Sequence, residues 1–210
     1  MNLPNALTVG RIVVTPLIAI LPFANSWTLR FAAFVLFTLA AISDYIDGHL
    51  ARSRKEETDL GRLLDPLADK LLLVGTFVPM YLLAADFPFV TPIGPVGLSW
   101  WIVAIVLGRE LFMTIYRQAA ARRGVVIAAI GPAKWKTGFQ LVWQGSAYFW
   151  FWAATLAAVR GWNSPAWRGF ALFNGTVGTL MMTIAVILTV YSLAVYLRSF
   201  RNVFAPSPSK

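Results

Sequence analysis

Four aspartates, Asp44, Asp47, Asp65 and Asp69, stand in two pairs, spaced by three and by four residues. On helices, those spacings put each pair on one side of its element. If the two helices are antiparallel neighbours, all four carboxylates converge at one depth. Like charges a few Å apart repel unless something neutralises them. Two divalent cations would match four carboxylates in charge, and oxygen-only ligands suit Mg²⁺ or Mn²⁺ rather than zinc. The competing reading is that these acids pair with Arg52, Arg62 and Lys70 as solvated interfacial charges. That reading serves a single aspartate at a helix end better than four converging ones. The residues between the acids add a second signal. Asp44, Asp47, Gly48 and Ala51 follow an i, i+3, i+4, i+7 stripe, so two ligand types are followed by two residues of almost no bulk. Small residues there leave room for a ligand against the backbone, although they also serve helix packing. Arg52 follows with a guanidinium fork that matches phosphate.

The elements that must position these groups follow from composition. Hydrophobic types make up 58% of the chain and charged types 13%, with a mean hydropathy of +0.67; soluble domains have about 45–50% and about 25%. Too little polar surface is present to cover a water-soluble globule. Disorder, a collagen-like repeat and a disulfide-stapled fold are excluded. With no Cys and a single His, His49, thiolate and His-rich zinc sites are excluded too. The net charge of +9 does not indicate nucleic-acid binding, because the basic residues lie between apolar segments, as membrane topology dictates.

Spans of about 20 apolar residues cross the hydrocarbon core, and six stand out: 6–24, 27–46, 64–83, 98–116, 137–159 and 173–196. The expected fold is an all-α integral membrane protein with six transmembrane helices. No linker divides the chain, so a single domain is expected over residues 1–204, with a flexible tail over 205–210. The first segment lacks a basic n-region and is read as a span rather than a cleaved signal. Lys and Arg concentrate in alternate loops: Arg52, Arg54, Lys55 and Arg62, then Arg117, Arg122, Arg123, Lys134 and Lys136, then Arg198, Arg201 and Lys210. The opposite side holds only Arg30, Arg160 and Arg168. Both termini are therefore expected to be cytoplasmic, and the aspartates sit at the cytoplasmic ends of helices 2 and 3.

The string from Asp44 to Asp69 reads D-x2-D-G-x2-A-R-x8-G-x3-D-x3-D. It resembles the signature of the CDP-alcohol phosphatidyltransferases, with every fixed position filled: Asp44, Asp47, Gly48, Ala51, Arg52, Gly61, Asp65 and Asp69. At ordinary residue usage, eight specified positions match by chance less than about once in a billion starts. The resemblance implies transfer of a phosphatidyl group from a CDP-linked lipid to an alcohol, with release of CMP. It implies that Asp44, Asp47 and Asp65 hold two Mg²⁺ or Mn²⁺ ions, and that Asp69 completes the cluster as candidate base for the acceptor hydroxyl. Gly48, Ala51, Arg52 and Gly61 match the positions that receive the cytidine diphosphate. Beside two cations a carboxylate is a weak base, so Asp69 could position the hydroxyl more than deprotonate it.

A second set of residues bears on the acceptor. Asn2, Pro4, Leu7, Thr8 and Arg11, the D-P-L-A-D-K stretch (65–70), G-R-E-L (108–111) with Arg117 beyond it, and K-W-K-T-G-F-Q (134–140) resemble the bacterial phosphatidylglycerophosphate synthase branch of the family. Thr114 and Ile115 stand where that pattern has Ser-Gly. This likeness implies CDP-diacylglycerol and glycerol 3-phosphate as substrates, with phosphatidylglycerol (giving cardiolipin) or inositol phosphate as alternative acceptors. From the residues alone, Arg109 inside an apolar span is costly unless partnered, and Glu110 is at hand. Arg109 belongs either to a structural network with Glu110 or, with Lys134, Lys136 and Arg117, to a pocket for an anionic acceptor. Asn2, Thr8 and Arg11 either cap the first helix or line the nucleotide site, and Gln140 is a further possible lining residue. The resemblance also implies a homodimer in a lipid membrane. A divalent-cation transporter is the rival from another class, but transport wants polar groups through the bilayer depth, and here the acids keep to one face.

Overall fold

The computed structural model describes residues 3–54, 59–125 and 131–199, with side chains described for 5–44, 61, 64–125, 131 and 135–199. Six long helices carry the fold: α1 (Leu3–Ile20), α2 (Trp27–Arg54), α3 (Asp59–Leu82), α4 (Trp100–Ala121), α5 (Gly131–Arg160) and α6 (Pro165–Ser199). Each overlaps one predicted apolar span, and most run past it at one or both ends. Their boundaries follow local chemistry. Pro165 opens α6 with its φ preset for the first turn, while the Ser164 hydroxyl accepts a 3.2 Å bond from the Trp167 amide. At the end of α5, Gly161 adopts φ +64°, and the Trp162 amide donates back to the Ala157 carbonyl at 2.9 Å. That closure needs a left-handed residue, which glycine supplies without strain.

One non-helical element was not expected. Strands β1 (Phe89–Thr91) and β2 (Gly94–Val96) pair antiparallel, with Phe89 opposite Val96. The hairpin is pinned by its own Thr91 hydroxyl, which donates to the Gly94 carbonyl at 2.6 Å, and by Trp150 Nε1, which donates to the Pro88 carbonyl at 3.1 Å.

The chain forms two compact units, residues 1–98 with 141–179 and residues 99–140 with 180–210. In the first, α1 packs along both α2 and α3. The helices approach closely where Gly75 faces Thr15. The part of α5 in this unit fastens them: the buried Tyr148 hydroxyl donates to the Ile18 carbonyl at 3.2 Å, and Gln144 Nε2 donates to Thr76 Oγ1 at 2.7 Å. Phe77 meets Trp143 edge-on, and Phe37 stacks on Tyr148. In the second unit, the Tyr196 ring of α6 is buried with Met113 and Ala120 of α4.

Many large apolar side chains face outward, among them Val13, Ile20, Leu39, Phe173 and Ile187. In water that exposure would be costly; against lipid it is the natural state of a spanning helix. Among the described residues, three stretches are long and apolar enough to cross a membrane, Asn5–Phe23, Trp27–Asp44 and Pro165–Ser199. The protein is thus a predominantly helical membrane protein.

Candidate active site

The aspartate cluster forms around α1. Arg11, whose side chain is 1% exposed, donates through one terminal nitrogen to Asp44 Oδ1 of α2 and to Asp69 Oδ1 of α3, the latter at 2.9 Å. One turn earlier on α1, Thr8 Oγ1 donates to Asp65 Oδ1 of α3 at 2.8 Å. The three-residue spacing of Thr8 and Arg11 gives them one helix face, and the Thr15 hydroxyl bonds back to the Arg11 carbonyl at 2.7 Å. α1 thus brings together carboxylates from both neighbours. Asp44 and Asp69 lie within hydrogen-bonding reach of each other, with Asp65 close enough to act on Asp69 electrostatically. All three acids keep solvent access: Asp44 and Asp69 are 44% and 59% exposed at their side chains.

Among the described residues, no three acids or histidines close on one point as a finished metal cage; Asp44 and Asp69 close on Arg11 instead. The donor set still fits a hard divalent ion. It offers oxygen only, it is partly open to water, and its electrostatics already accommodate a cation between two carboxylates. Gly61 is buried in the first turn of α3. Asp47, Gly48, Ala51 and Arg52 continue α2 one to two turns beyond Asp44, but their side chains lie outside the described residues, as do those of Asn2 and Lys134.

Of the predicted basic residues, Arg109, Arg117 and Lys136 gather in the second unit. Glu110 of α4 accepts from its neighbour Arg109 at 2.8 Å and from Lys136 of α5. Arg109 also donates to Ser192 Oγ of α6 at 3.0 Å, and Arg117 donates to the Tyr196 hydroxyl at 2.9 Å. The network of Arg109 with Glu110 is present, and Lys136 and Arg117 stand beside it. Lys136 precedes the apolar stretch of α5. Its burial lowers the ammonium pKa, Glu110 pulls it back up, and Arg109 and Arg117 push it down. Three cations against one anion leave this cluster short of negative charge. Among the described residues, the buried donors Arg109 Nε and Arg117 Nε meet no acceptor, and the buried acceptor Gln140 Oε1 meets no donor. Ser192 and Tyr196 were not singled out in the sequence, where a serine and a tyrosine on a long apolar helix carry no signal of their own.

Comparisons with known proteins point the same way. A family model described as CDP-alcohol phosphatidyltransferase matches residues 1–191. The chain is 31% identical, over 97% of its length, to CDP-diacylglycerol–glycerol-3-phosphate 3-phosphatidyltransferase 1, chloroplastic/mitochondrial, of Arabidopsis thaliana, covering 64% of that protein. It is 36% identical over 67% of its length to the CDP-diacylglycerol–glycerol-3-phosphate 3-phosphatidyltransferase of Cereibacter sphaeroides, covering 60% of it. A cardiolipin synthase (CMP-forming) of Oryza sativa is 30% identical over 94% of the chain, which covers 57% of that relative. The chain thus spans somewhat less than two thirds of the length of these curated relatives.

Proposed function

The chain belongs to the CDP-alcohol phosphatidyltransferase family, and on that premise we propose that it transfers a phosphatidyl group from CDP-diacylglycerol to glycerol 3-phosphate, giving phosphatidylglycerol phosphate and CMP. The observation that carries this reading is the joining of Asp44, Asp65 and Asp69 by Thr8 and Arg11 at one site. In this reading Asp44, Asp47, Asp65 and Asp69 hold two Mg²⁺ or Mn²⁺ ions, which when bound supply positive charge for the pyrophosphate and the departing CMP. Gly48, Ala51, Arg52 and Gly61 receive the cytidine diphosphate. The acceptor hydroxyl oxygen bonds to the lipid-linked phosphorus as the bond to CMP breaks. Asp69 takes or holds the hydroxyl proton, the least demanding role for a carboxylate beside cations. The cluster of Arg109, Arg117 and Lys136, with Lys134, receives the phosphate of glycerol 3-phosphate.

The enzyme so described sits in the cell membrane with six spans, both termini cytoplasmic, and works as a homodimer. Similarity to a cardiolipin synthase favours one second reading, in which phosphatidylglycerol is the acceptor. Purified protein incubated with CDP-diacylglycerol, Mg²⁺ and either glycerol 3-phosphate, phosphatidylglycerol or inositol phosphate decides between them. Phosphatidylglycerol phosphate is the expected lipid, formed only with divalent cation and lost on chelation. Cardiolipin instead would establish the second reading, and turnover persisting in EDTA would remove the metals from the reaction.

A further inference from the structure

Ser192 and Tyr196 are four residues apart on α6, and Arg109 and Arg117 are eight apart on α4, so each pair shares one helix face. Ser192 Oγ accepts from Arg109 and the Tyr196 hydroxyl accepts from Arg117. Both guanidinium carbons lie over the Tyr196 ring, at 5.9 and 5.4 Å from its centre. Two like charges directed at one buried ring repel each other. The ring face and the two hydroxyls offset that repulsion in part. Glu110 pairs with both Arg109 and Lys136, one anion for two cations, and among the described residues no ion pair reaches Arg117. Among the described residues, the buried Arg109 Nε and Arg117 Nε meet no acceptor and are donors that a phosphate monoester can use. Ser192 and Tyr196 are themselves fully buried, so they act on a ligand only through the arginines.

Resting on the anionic-acceptor reading above, we infer that Ser192 and Tyr196 are positioning residues for the acceptor. They hold the Arg109 and Arg117 guanidiniums in the spacing that a phosphate-bearing alcohol requires. The ring of Tyr196 is also core, so Tyr196→Phe, which keeps it and deletes one oxygen, is the informative change. Ser192→Ala does the same for Arg109. Tyr148→Phe is the control, because that hydroxyl is equally buried but serves only the backbone carbonyls of Ile18 and Gly75.

The experiment uses the full chain with CDP-diacylglycerol and saturating Mg²⁺, titrating glycerol 3-phosphate. Tyr196→Phe and Ser192→Ala should each raise KM for glycerol 3-phosphate by about two- to tenfold, the range of one lost hydrogen bond. kcat and KM for CDP-diacylglycerol should hold. In an Arg117→Ala background, Tyr196→Phe should add nothing, because the residue it acts through is gone. Tyr148→Phe should lower thermal stability without splitting the two KM values. The inference fails if Tyr196→Phe leaves KM for glycerol 3-phosphate unchanged, if its effect persists in the Arg117→Ala background, or if Tyr148→Phe gives the same split. A wild-type chain that makes no product from glycerol 3-phosphate overturns the acceptor reading itself, before any variant is measured.

Discussion

Arg11 is a buried cation shared by two acids from different helices, and its role depends on what else neutralises them. Without it, Asp44 and Asp69 face each other as like charges. Arg11→Met should therefore destabilise the metal-free protein. Both acids are well exposed, which discounts the cost from the several kcal/mol of a buried pair to about 1–2 kcal/mol, at about 2–4 °C of melting temperature per kcal/mol. Added Mg²⁺ should recover more stability in the variant than in the wild type, since it meets no competing guanidinium. Equal Mg²⁺ shifts in detergent-solubilised protein would show that Arg11 and the metal do not share these carboxylates. Asp65→Asn makes the complementary test. The amide keeps an oxygen for the Thr8 hydroxyl, so the melting temperature should stay near wild type while turnover falls by on the order of a hundredfold or more. Loss of fold with loss of turnover would make Asp65 a structural residue. The acids were legible in the sequence because carboxylates at helical spacing are rare in so apolar a chain. The part played by Arg11 was only half legible: Thr8 and Arg11 stood out by their likeness to one branch of the family, as caps of the first helix or lining of the nucleotide site, but which acids they meet depends on tertiary packing.

At the level of elements, the hairpin and α6 approach so closely that side chains are excluded. A Cβ on Gly175 would fall on the Val90 carbonyl, and one on Gly178 would lie 2.6 Å from the Phe89 ring. Gly175→Ala should push β1 away and cost about 1–3 kcal/mol, the scale of overpacking. On the same helix, Gly169 has nothing within 4 Å of its added Cβ, so Gly169→Ala should be neutral or stabilise by up to about 1 kcal/mol. Melting temperatures of the two variants in one detergent check the contrast; equal shifts would mean that the hairpin does not rest on α6. The six helices were legible because each contains an apolar run with no alternative partner for its backbone. Their ends were less so: the apolar span read in α2 stops at 46, whereas the helix continues to Arg54. The hairpin could not be read at all. F-V-T-P-I-G-P-V carries two prolines and three-residue strands, shorter than any window in which a period of two can be distinguished.

For the whole molecule, the number of helices that cross the bilayer sets the side each loop faces. Among the described residues, three stretches qualify by length and apolarity, one in α1 and the turn after it, one in α2 and one in α6, whereas α3, α4 and α5 carry the Asp65–Lys70 acids and base, the Arg109–Glu110 pair and the Lys136 end. Polar groups of that kind are retained inside membranes when they do chemistry, which is why we place all six across. Loop parity tests this. The chain has no cysteine, so single cysteines can be introduced freely. Ile93, 90% exposed at the hairpin tip, and the exposed Asn163 and Ala121 are suitable positions. If α4 and α5 each cross, Ile93→Cys and Asn163→Cys lie on one side and Ala121→Cys, beside the basic Arg122 and Arg123, lies on the other. In the proposed orientation, which follows the distribution of Lys and Arg, the Ala121 side faces the cytoplasm. A membrane-impermeant thiol reagent on intact cells should then label positions 93 and 163, and position 121 only after permeabilisation. If α3, α4 and α5 instead stay on one side, all three cysteines label alike, and the six-span arrangement is wrong. If 121 alone labels in intact cells, the spans are right and the orientation is reversed, which would put the aspartate cluster on the side away from cytoplasmic glycerol 3-phosphate.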